Sequence, residues 1–208
     1  MTDPNTDPKT EQVVDNKTLF WNRVQILMIL AVFTAPIAGA FFYKPKSFIN
    51  YGDIYTPVRP VENLVMTGAE GPIELDSFRR TWVFLVTANT RCSKACEDNI
   101  LKMRQLRFMQ NNDMVRIRTL FMHTQLPTAV AEDLAAKYRP IEAYSVSFNE
   151  FDEWTEVLKV PDAPKEAQVD RLYIIDPAGN LMMSYPAGAD PNQIKKDIKR
   201  LLKASQIG

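Results

Sequence analysis

The stretch "TWVFLVTANTRCSKACEDNILKMRQ", residues 81–105, predicts a buried strand that runs directly into a helix. Residues 81–88 are almost all apolar and rich in strand-forming types, which is typical of a strand covered on both faces. Apolar residues then recur at helical spacing as far as Asn111. Both cysteines of the chain, Cys92 and Cys96, lie at the junction between the strand and the helix.

The rest of the chain continues this alternation of strands and helices. Residues 114–122 predict a second strand, and residues 169–185 predict a hairpin around the turn "DPAGN". Three further segments have helical periodicity: residues 126–140, 147–160 and 190–205.

Two of these helices carry start signals in the sequence. Ser147 and Glu150 have the spacing of a capping box, and Asp190 precedes Pro191 as an N-cap precedes a first-turn proline. The order of the elements predicts an α/β sandwich with a mixed central sheet of four or more strands.

An apolar run near the N-terminus predicts one transmembrane helix. Residues 24–43 contain a single strongly polar side chain, Gln25, and span roughly 30 Å as a helix, about the thickness of a bilayer core. A cleaved signal peptide is the alternative, because Ala38-Gly39-Ala40 is typical of a cleavage site. The run continues past that site, which favours a retained anchor. Positive charges on the two sides are balanced and do not orient it.

These patterns divide the chain into four parts. We expect a disordered polar tail over residues 1–20, the transmembrane anchor over residues 21–43, and a stalk or lead-in over residues 44–72. The lead-in includes a possible short hairpin in "ENLVMTGAEGPIEL", residues 62–75. The α/β domain then extends over residues 73–208.

The charge composition argues against a polyanionic partner. Lys plus Arg and Asp plus Glu number 25 each, which gives a formal net charge of zero. The basic residues are scattered, without the clustered and aromatic-interleaved pattern of a nucleic-acid groove. We therefore expect no nucleic-acid partner.

The cysteine pair admits three interpretations: a redox couple, a metal clasp, or two small apolar residues. A helix N-terminus stabilises a thiolate, and Arg91 and Lys94 add positive charge beside it. Thiolates are soft ligands that suit Cu(I) and Zn(II), so one arrangement serves either exchange chemistry or metal binding. Their position at a strand-to-helix junction favours a functional pair.

The single histidine, His123, follows the second predicted strand. If that strand lies beside the first, its C-terminal end comes close to the cysteines. His123 is then a candidate third metal ligand or proton shuttle, with a surface loop residue as the alternative.

Several motifs in this chain resemble those of the Sco/SenC family of membrane-anchored thioredoxin-fold proteins. The resemblance covers roughly residues 60–204 together with the N-terminal anchor. It includes "ENLVMTGAEGPIELDSFRRTWVFLV" at residues 62–86, the C-x-x-x-C pair, "MRQ" at residues 103–105 and "LYIIDPAGN" at residues 172–180.

This resemblance implies a function in assembling cytochrome c oxidase. It implies a single-pass protein of the bacterial inner membrane, with its C-terminal domain in the periplasm facing the oxidase subunit that carries the binuclear copper site. It also implies that Cys92 and Cys96 bind copper, as Cu(I) or Cu(II), together with a distal histidine.

This sequence departs from the family pattern at two points. The distal histidine is expected shortly before residue 172, where Gln168, Asp170 and Arg171 stand instead, and an arginine there would repel copper. Either His123 substitutes, or this branch handles thiols or electrons. Ser93 also replaces the proline common after the first cysteine, which predicts a looser loop.

Three functions therefore remain open. The first is copper delivery through Cys92, Cys96 and His123. The second is a thiol-disulfide reductase that keeps the copper-ligand cysteines of an oxidase subunit reduced, with Cys92 as nucleophile and Cys96 resolving the mixed disulfide. The third is a non-catalytic assembly scaffold. The missing distal histidine disfavours the first in its usual form, and the retained cysteine pair disfavours the third.

Overall fold

The computed structural model describes residues 16–42, 50–61, 64–160, 163 and 170–205, and divides into two units, Met1–Phe48 and Ile49–Gly208. The first unit contains helix α1, Asn16–Phe42. Its segment Leu19–Gly39 is long and apolar enough to cross a membrane, so α1 is a candidate membrane span, as predicted.

Helix α1 begins earlier than the predicted anchor. Residues 16–20 were assigned to the disordered tail, but they form its first turns, because backbone hydrogen bonds extend a helix past the end of its apolar run. The rest of the predicted tail lies outside the described residues.

The second unit contains eight strands and four α-helices among its described residues. The strands are β1 (Asp53–Pro60), β2 (Val65–Gly68), β3 (Gly71–Glu74), β4 (Trp82–Ala88), β5 (Ile117–His123), β6 (Glu142–Ser145), β7 (Leu172–Ile175) and β8 (Asn180–Tyr185). The helices are α2 (Lys94–Phe108), α3 (Thr128–Lys137), α4 (Phe148–Leu158) and α5 (Pro191–Ala204).

All eight strands form one mixed sheet in the order β1-β8-β7-β4-β5-β6-β2-β3. Strand β4 lies inside the sheet, parallel to β5 and antiparallel to β7. Its burial on both faces explains the continuous apolar run at residues 81–88. The predicted α/β sandwich with a mixed sheet is confirmed.

Each face of the sheet carries its own apolar core. The face that we call the α2 face packs α2, α3 and α5 against alternate strand residues such as Phe84, Val86 and Phe121. The opposite face, called the α4 face, packs α4 against Val83 and Leu85, with Trp154 fully buried there. The cysteine motif begins where β4 leaves the sheet between these cores.

The predicted lead-in differs from a stalk. Strand β1 pairs with β8 at one edge of the sheet, and the β2–β3 hairpin, which was predicted as a possibility, pairs with β6. The predicted boundary at residue 73 falls inside β3. Strand β1 escaped prediction because Pro57 and Pro60 interrupt its pattern, although prolines are tolerated in an edge strand.

Two further strand assignments differ from the sequence-based prediction. Strand β6 was missed, because "EAYS" is half-buried throughout and shows no apolar alternation. Strand β5 begins at Ile117 rather than at residue 114, since Asn111–Arg116 form a 3-10 turn.

Candidate functional site

The two cysteines lie at the N-terminus of α2 and form a disulfide. Cys96 is fully buried, whereas Cys92 is half-buried and precedes the helix. Their Cα atoms are 5.3 Å apart, which suits a disulfide. Cys92 lies before the first residue of α2, so only Cys96 belongs to the helix. Cys92 is the more exposed residue of the two.

Ser93 caps α2 between the two cysteines. Its hydroxyl oxygen accepts a hydrogen bond from the Cys96 backbone N–H at 3.1 Å, which satisfies one of the unpaired donors of the first turn. The loop that was expected to be looser, because Ser93 replaces a proline, is therefore held by the cap.

Asp170 is the residue that connects this loop to the neighbouring strand. Ser93 Oγ donates to Asp170 Oδ2 at 2.8 Å, and Asn99 Nδ2 of α2 donates to the Asp170 carbonyl oxygen. Asp170 immediately precedes Arg171 and β7, and β7 lies beside β4, so sheet pairing brings it to the cysteine motif. The sequence had placed Asp170 in the region of the missing histidine but did not predict this contact.

Arg171 lies elsewhere than the sequence suggested. Its guanidinium is buried on the α4 face, where Nε donates to Ser184 Oγ at 3.1 Å and Nη2 pairs with Asp53. Side chains alternate between faces along a strand, and Leu172, the next residue, belongs to the α2 face. The Arg171 guanidinium therefore lies on the opposite face of the sheet from the cysteines. The expectation that it would repel a copper ion beside them is wrong. Gln168 lies outside the described residues.

Glu97, in the first turn of α2, is engaged by α3. Its Oε1 accepts from Lys137 Nζ at 2.5 Å and from the Tyr138 hydroxyl at 2.6 Å. The Lys137 contact, followed by that of Tyr138, lowers the pKa of the Glu97 carboxyl below its ordinary value. These contacts direct the Glu97 carboxylate towards α3.

His123 is buried at the C-terminal end of β5, directly beside Ala88 of β4. Its ring lies 5.7 Å, between centroids, from that of Phe121, a residue of the α2 face. Its side chain therefore shares the α2 face with the cysteines, and its Nδ1 has no hydrogen-bond partner. Burial lowers the pKa of the imidazole below its ordinary value. His123 is thus a buried residue on the cysteine side of the sheet, not the exposed loop residue of the alternative.

We expect the free energy of unfolding to decrease less on acidification in His123→Gln than in the wild type. Because the folded pKa of His123 lies below the unfolded one, the unfolded state binds more protons below about pH 6.5, and the free energy of unfolding falls there. Denaturant unfolding of the full chain in detergent at about pH 7.5 and about pH 5.5 measures this loss. The wild type should lose more than the variant, and equal losses would contradict the effect of burial.

The described residues do not bring the three predicted ligands into one metal-binding cluster. Within residues 16–42, 50–61, 64–160, 163 and 170–205, no three His, Cys, Asp or Glu side chains are grouped to hold a metal ion. The disulfide occupies both sulfurs, so reduction must precede any ligation. Cys92, Cys96 and His123 lie on the same face of the sheet and at the same end of it. The structure supports their predicted association to that extent only.

A cavity of about 520 Å³ opens beside the motif. Its wall combines the end of β4 and the chain after it, one side of α4 and the start of β7. Charged side chains that line it include Arg91, Lys159 and Asp170, and Phe151 and Tyr173 contribute apolar surface. Ser93 lines it as well, so a molecule in this cavity would lie next to the cysteine loop.

A family model described as "Transmembrane-like, thioredoxin-like, C-terminal domain" matches residues 82–205. The match begins at β4 and includes the cysteine motif and every later element. No curated protein is similar enough in sequence to match the chain.

Solved structures share the fold of the second unit. Apo Sco1 from Thermus thermophilus has a TM-score of 0.59 and 20% identity, over 75% of this chain and 99% of that chain. Copper-bound ScoI from Arabidopsis thaliana has a TM-score of 0.56 and 12% identity, over 70% and 99%. The thioredoxin domain of a thiol-disulfide oxidoreductase from Bacteroides vulgatus has a TM-score of 0.52 and 9% identity, over 69% and 95%. At these identities the likeness establishes the fold alone, which is the predicted thioredoxin-like fold of Sco proteins.

Proposed function

Since the chain belongs to the family of transmembrane-like, thioredoxin-like C-terminal domains, we propose that it assists cytochrome c oxidase assembly by holding copper on Cys92 and Cys96. The observation that carries this proposal is the joined cysteine pair at the N-terminus of α2, with Cys92 half-buried and Cys96 fully buried. Two electrons and two protons from a thiol reductant convert this disulfide to a dithiol. Loss of the two thiol protons on metal binding then gives two thiolates, which are soft ligands that suit Cu(I).

His123 is the proposed third ligand. Its unpartnered Nδ1 on the α2 face is a buried polar atom without compensation, which is costly unless a partner arrives. Imidazole nitrogen also suits copper. The described residues do not gather the three donors in the disulfide state, so binding would require the loop around Cys92 to adjust after reduction.

The proposed location is the bacterial inner membrane, with one span and the C-terminal domain in the periplasm. Helix α1 is the candidate span, with the anchor proposed over residues 21–43. The disulfide supports the periplasmic side, because disulfides persist in oxidising compartments and are rare in the cytosol. The proposed partner is the oxidase subunit that carries the binuclear copper site, and the cavity beside Ser93 offers a place for a segment of it.

A second candidate function is reduction of that subunit's copper-ligand cysteines. The disulfide favours it, because a joined pair is the state that these cysteines reach after they have reduced a target. Cys92 would attack the target disulfide, and Cys96 would then attack Cys92 to release the target as a dithiol. The two electrons come from the cysteine pair, which returns to the disulfide state.

Titration of the reduced full chain in detergent with Cu(I), against a competing chelator, tests the copper function. We expect the wild type to bind one equivalent of Cu(I) tightly. Cys92→Ser should lose this tight binding, because it retains only one of the two thiolate ligands. His123→Gln should weaken the binding by about tenfold if Nδ1 is a ligand, an effect comparable to the loss of one supporting group.

The same titration separates the two candidates. Binding no tighter than that of Cys92→Ser would overturn copper holding and leave the reductase. Binding that is tight but unchanged in His123→Gln would keep the copper function and remove His123 from the ligand set.

A further inference from the structure

We propose that Asp170 is a positioning residue that favours the disulfide state of Cys92 and Cys96 by holding Ser93. The inference deepens the proposed function, because it rests on the cysteine pair being cycled between disulfide and dithiol. Either use of that dithiol, copper holding or reduction of a target, would depend on this equilibrium.

The contacts form a short relay from β7 to the cysteine loop. Asp170 Oδ2 accepts from Ser93 Oγ at 2.8 Å, and Ser93 Oγ in turn accepts from the Cys96 backbone N–H at 3.1 Å. The carboxylate is thus one side chain removed from the backbone of the buried cysteine. We call this relay the Ser93–Asp170 latch.

Asp170 is itself held firmly enough to act as a fixed point. Its carbonyl oxygen accepts from Asn99 Nδ2, and its carboxylate accepts from Ser93 Oγ. Two hydrogen bonds from α2 and its N-cap residue therefore hold Asp170. Its φ of 51° lies in the left-handed region, which aspartate visits more readily than most residues. A residue that keeps such a backbone conformation requires surrounding contacts to maintain it.

Closing the disulfide requires the loop from Cys92 to Cys96 to be ordered. Fixing the backbone of one residue costs roughly 5- to 30-fold in an equilibrium constant, and the latch orders Ser93 before the sulfurs meet. Without the latch, the backbone around Ser93 gains conformational entropy in the dithiol state. It gains less in the disulfide state, because the S–S bond still restrains the loop. The equilibrium then moves towards the dithiol.

Equilibration of the full chain in detergent with glutathione buffers, without copper, measures this effect. Two glutathione thiols supply two electrons and two protons, giving the protein dithiol and glutathione disulfide. We expect Asp170→Ala to shift the equilibrium towards the dithiol by about tenfold. Asp170→Asn keeps an oxygen that accepts from Ser93, so it should stay within about twofold of the wild type. Asp98→Ala, which removes an exposed aspartate from the same helix, should not shift it.

The Ser93 variants complete the test and replace Asp170→Ala if it fails to fold. Ser93→Ala removes the latch and should shift the equilibrium towards the dithiol as well. Ser93→Thr keeps the hydroxyl, so its dithiol–disulfide equilibrium should match that of the wild type. Wild-type equilibrium in Ser93→Ala or in a folded Asp170→Ala would overturn the proposal. An equal shift in Asp170→Asn and Asp170→Ala would overturn it too, because charge would then be the cause.

This test can fail independently of the proposed function. A shifted redox equilibrium in a protein that binds no Cu(I) leaves Asp170 in its positioning role and removes copper holding. An unshifted equilibrium in a protein that binds Cu(I) tightly removes only the role of Asp170.

Discussion

Replacing either Cys92 or Cys96 by serine is expected to abolish the proposed contribution of this protein to oxidase assembly in cells. Both proposed chemistries need two sulfurs, because copper would lose one of its soft ligands and a target disulfide would lose either its attacker or its resolving thiol. Cytochrome c oxidase activity in membranes of a strain that carries the variant measures the effect. Loss to the level of a strain without the protein is the expected result.

The matched control is Ser93→Thr, which changes the residue between the cysteines but leaves both sulfurs and a hydroxyl in place. Near-normal oxidase activity with this control would tie the loss to the thiols. Full activity of the Cys92→Ser, Cys96→Ser double variant would exclude both chemistries and leave only the assembly scaffold.

The two single variants also separate the chemistries. Cys96→Ser keeps the sulfur of the half-buried Cys92 but cannot resolve a mixed disulfide. A reductase would therefore accumulate a covalent complex with its target through Cys92, visible on non-reducing gels. Cys92→Ser should give no such complex, because Cys96 is fully buried.

Replacing Asp197 by alanine is expected to lower the free energy of unfolding by about 3 kcal/mol. This carboxylate on α5 is buried, with only 1% of its surface exposed. It accepts from the backbone N–H of Tyr51 at 2.7 Å and of Gly52 at 3.3 Å, and from the Tyr185 hydroxyl at 3.2 Å. Each buried donor left without an acceptor costs roughly 1–3 kcal/mol, and partial access of water near Tyr51 keeps the sum at the lower end.

Denaturant unfolding of the full chain in detergent measures this loss. Asp152→Ala is the matched control, because the same change at an exposed position of α4 should alter stability by no more than about 0.5 kcal/mol. An Asp197→Ala loss no larger than that of the control would contradict the anchoring role. Asp197 holds the first described residues of the second unit, so its loss should also free that segment for proteolysis.

The local features of this fold were predictable because their causes lie within a few residues. The capping box appears as predicted, with Glu150 N–H donating to Ser147 Oγ at 3.3 Å and Ser147 N–H to Glu150 Oε2 at 2.8 Å. Asp190 likewise caps α5 ahead of its first-turn proline. Strand β4 was evident from its apolar run, since burial on both faces leaves no polar positions.

The cysteine pair was found for the same reason. Its position between a strand and a helix depends on residues 81–105 alone, and the structure places Cys92 and Cys96 at that junction. The bond between the two sulfurs was not predictable, because i to i+4 spacing permits both a dithiol and a disulfide.

Strands β1 and β6, the burial of His123 and the latch from Asp170 to Ser93 were decided only by the tertiary structure. Ser93 and Asp170 are separated by 77 positions in sequence and meet because β7 pairs beside β4. Strands β1 and β6 are stabilised by backbone hydrogen bonds to neighbours that their own side chains do not specify. The sequence alone thus determined the strongly patterned segments such as β4, the strand-to-helix junction and the residue types that stand at it. Residues such as Asp170, which bind the cysteine loop from another strand, reach it only because of the order of strands in the sheet. Local sequence patterns do not specify that order.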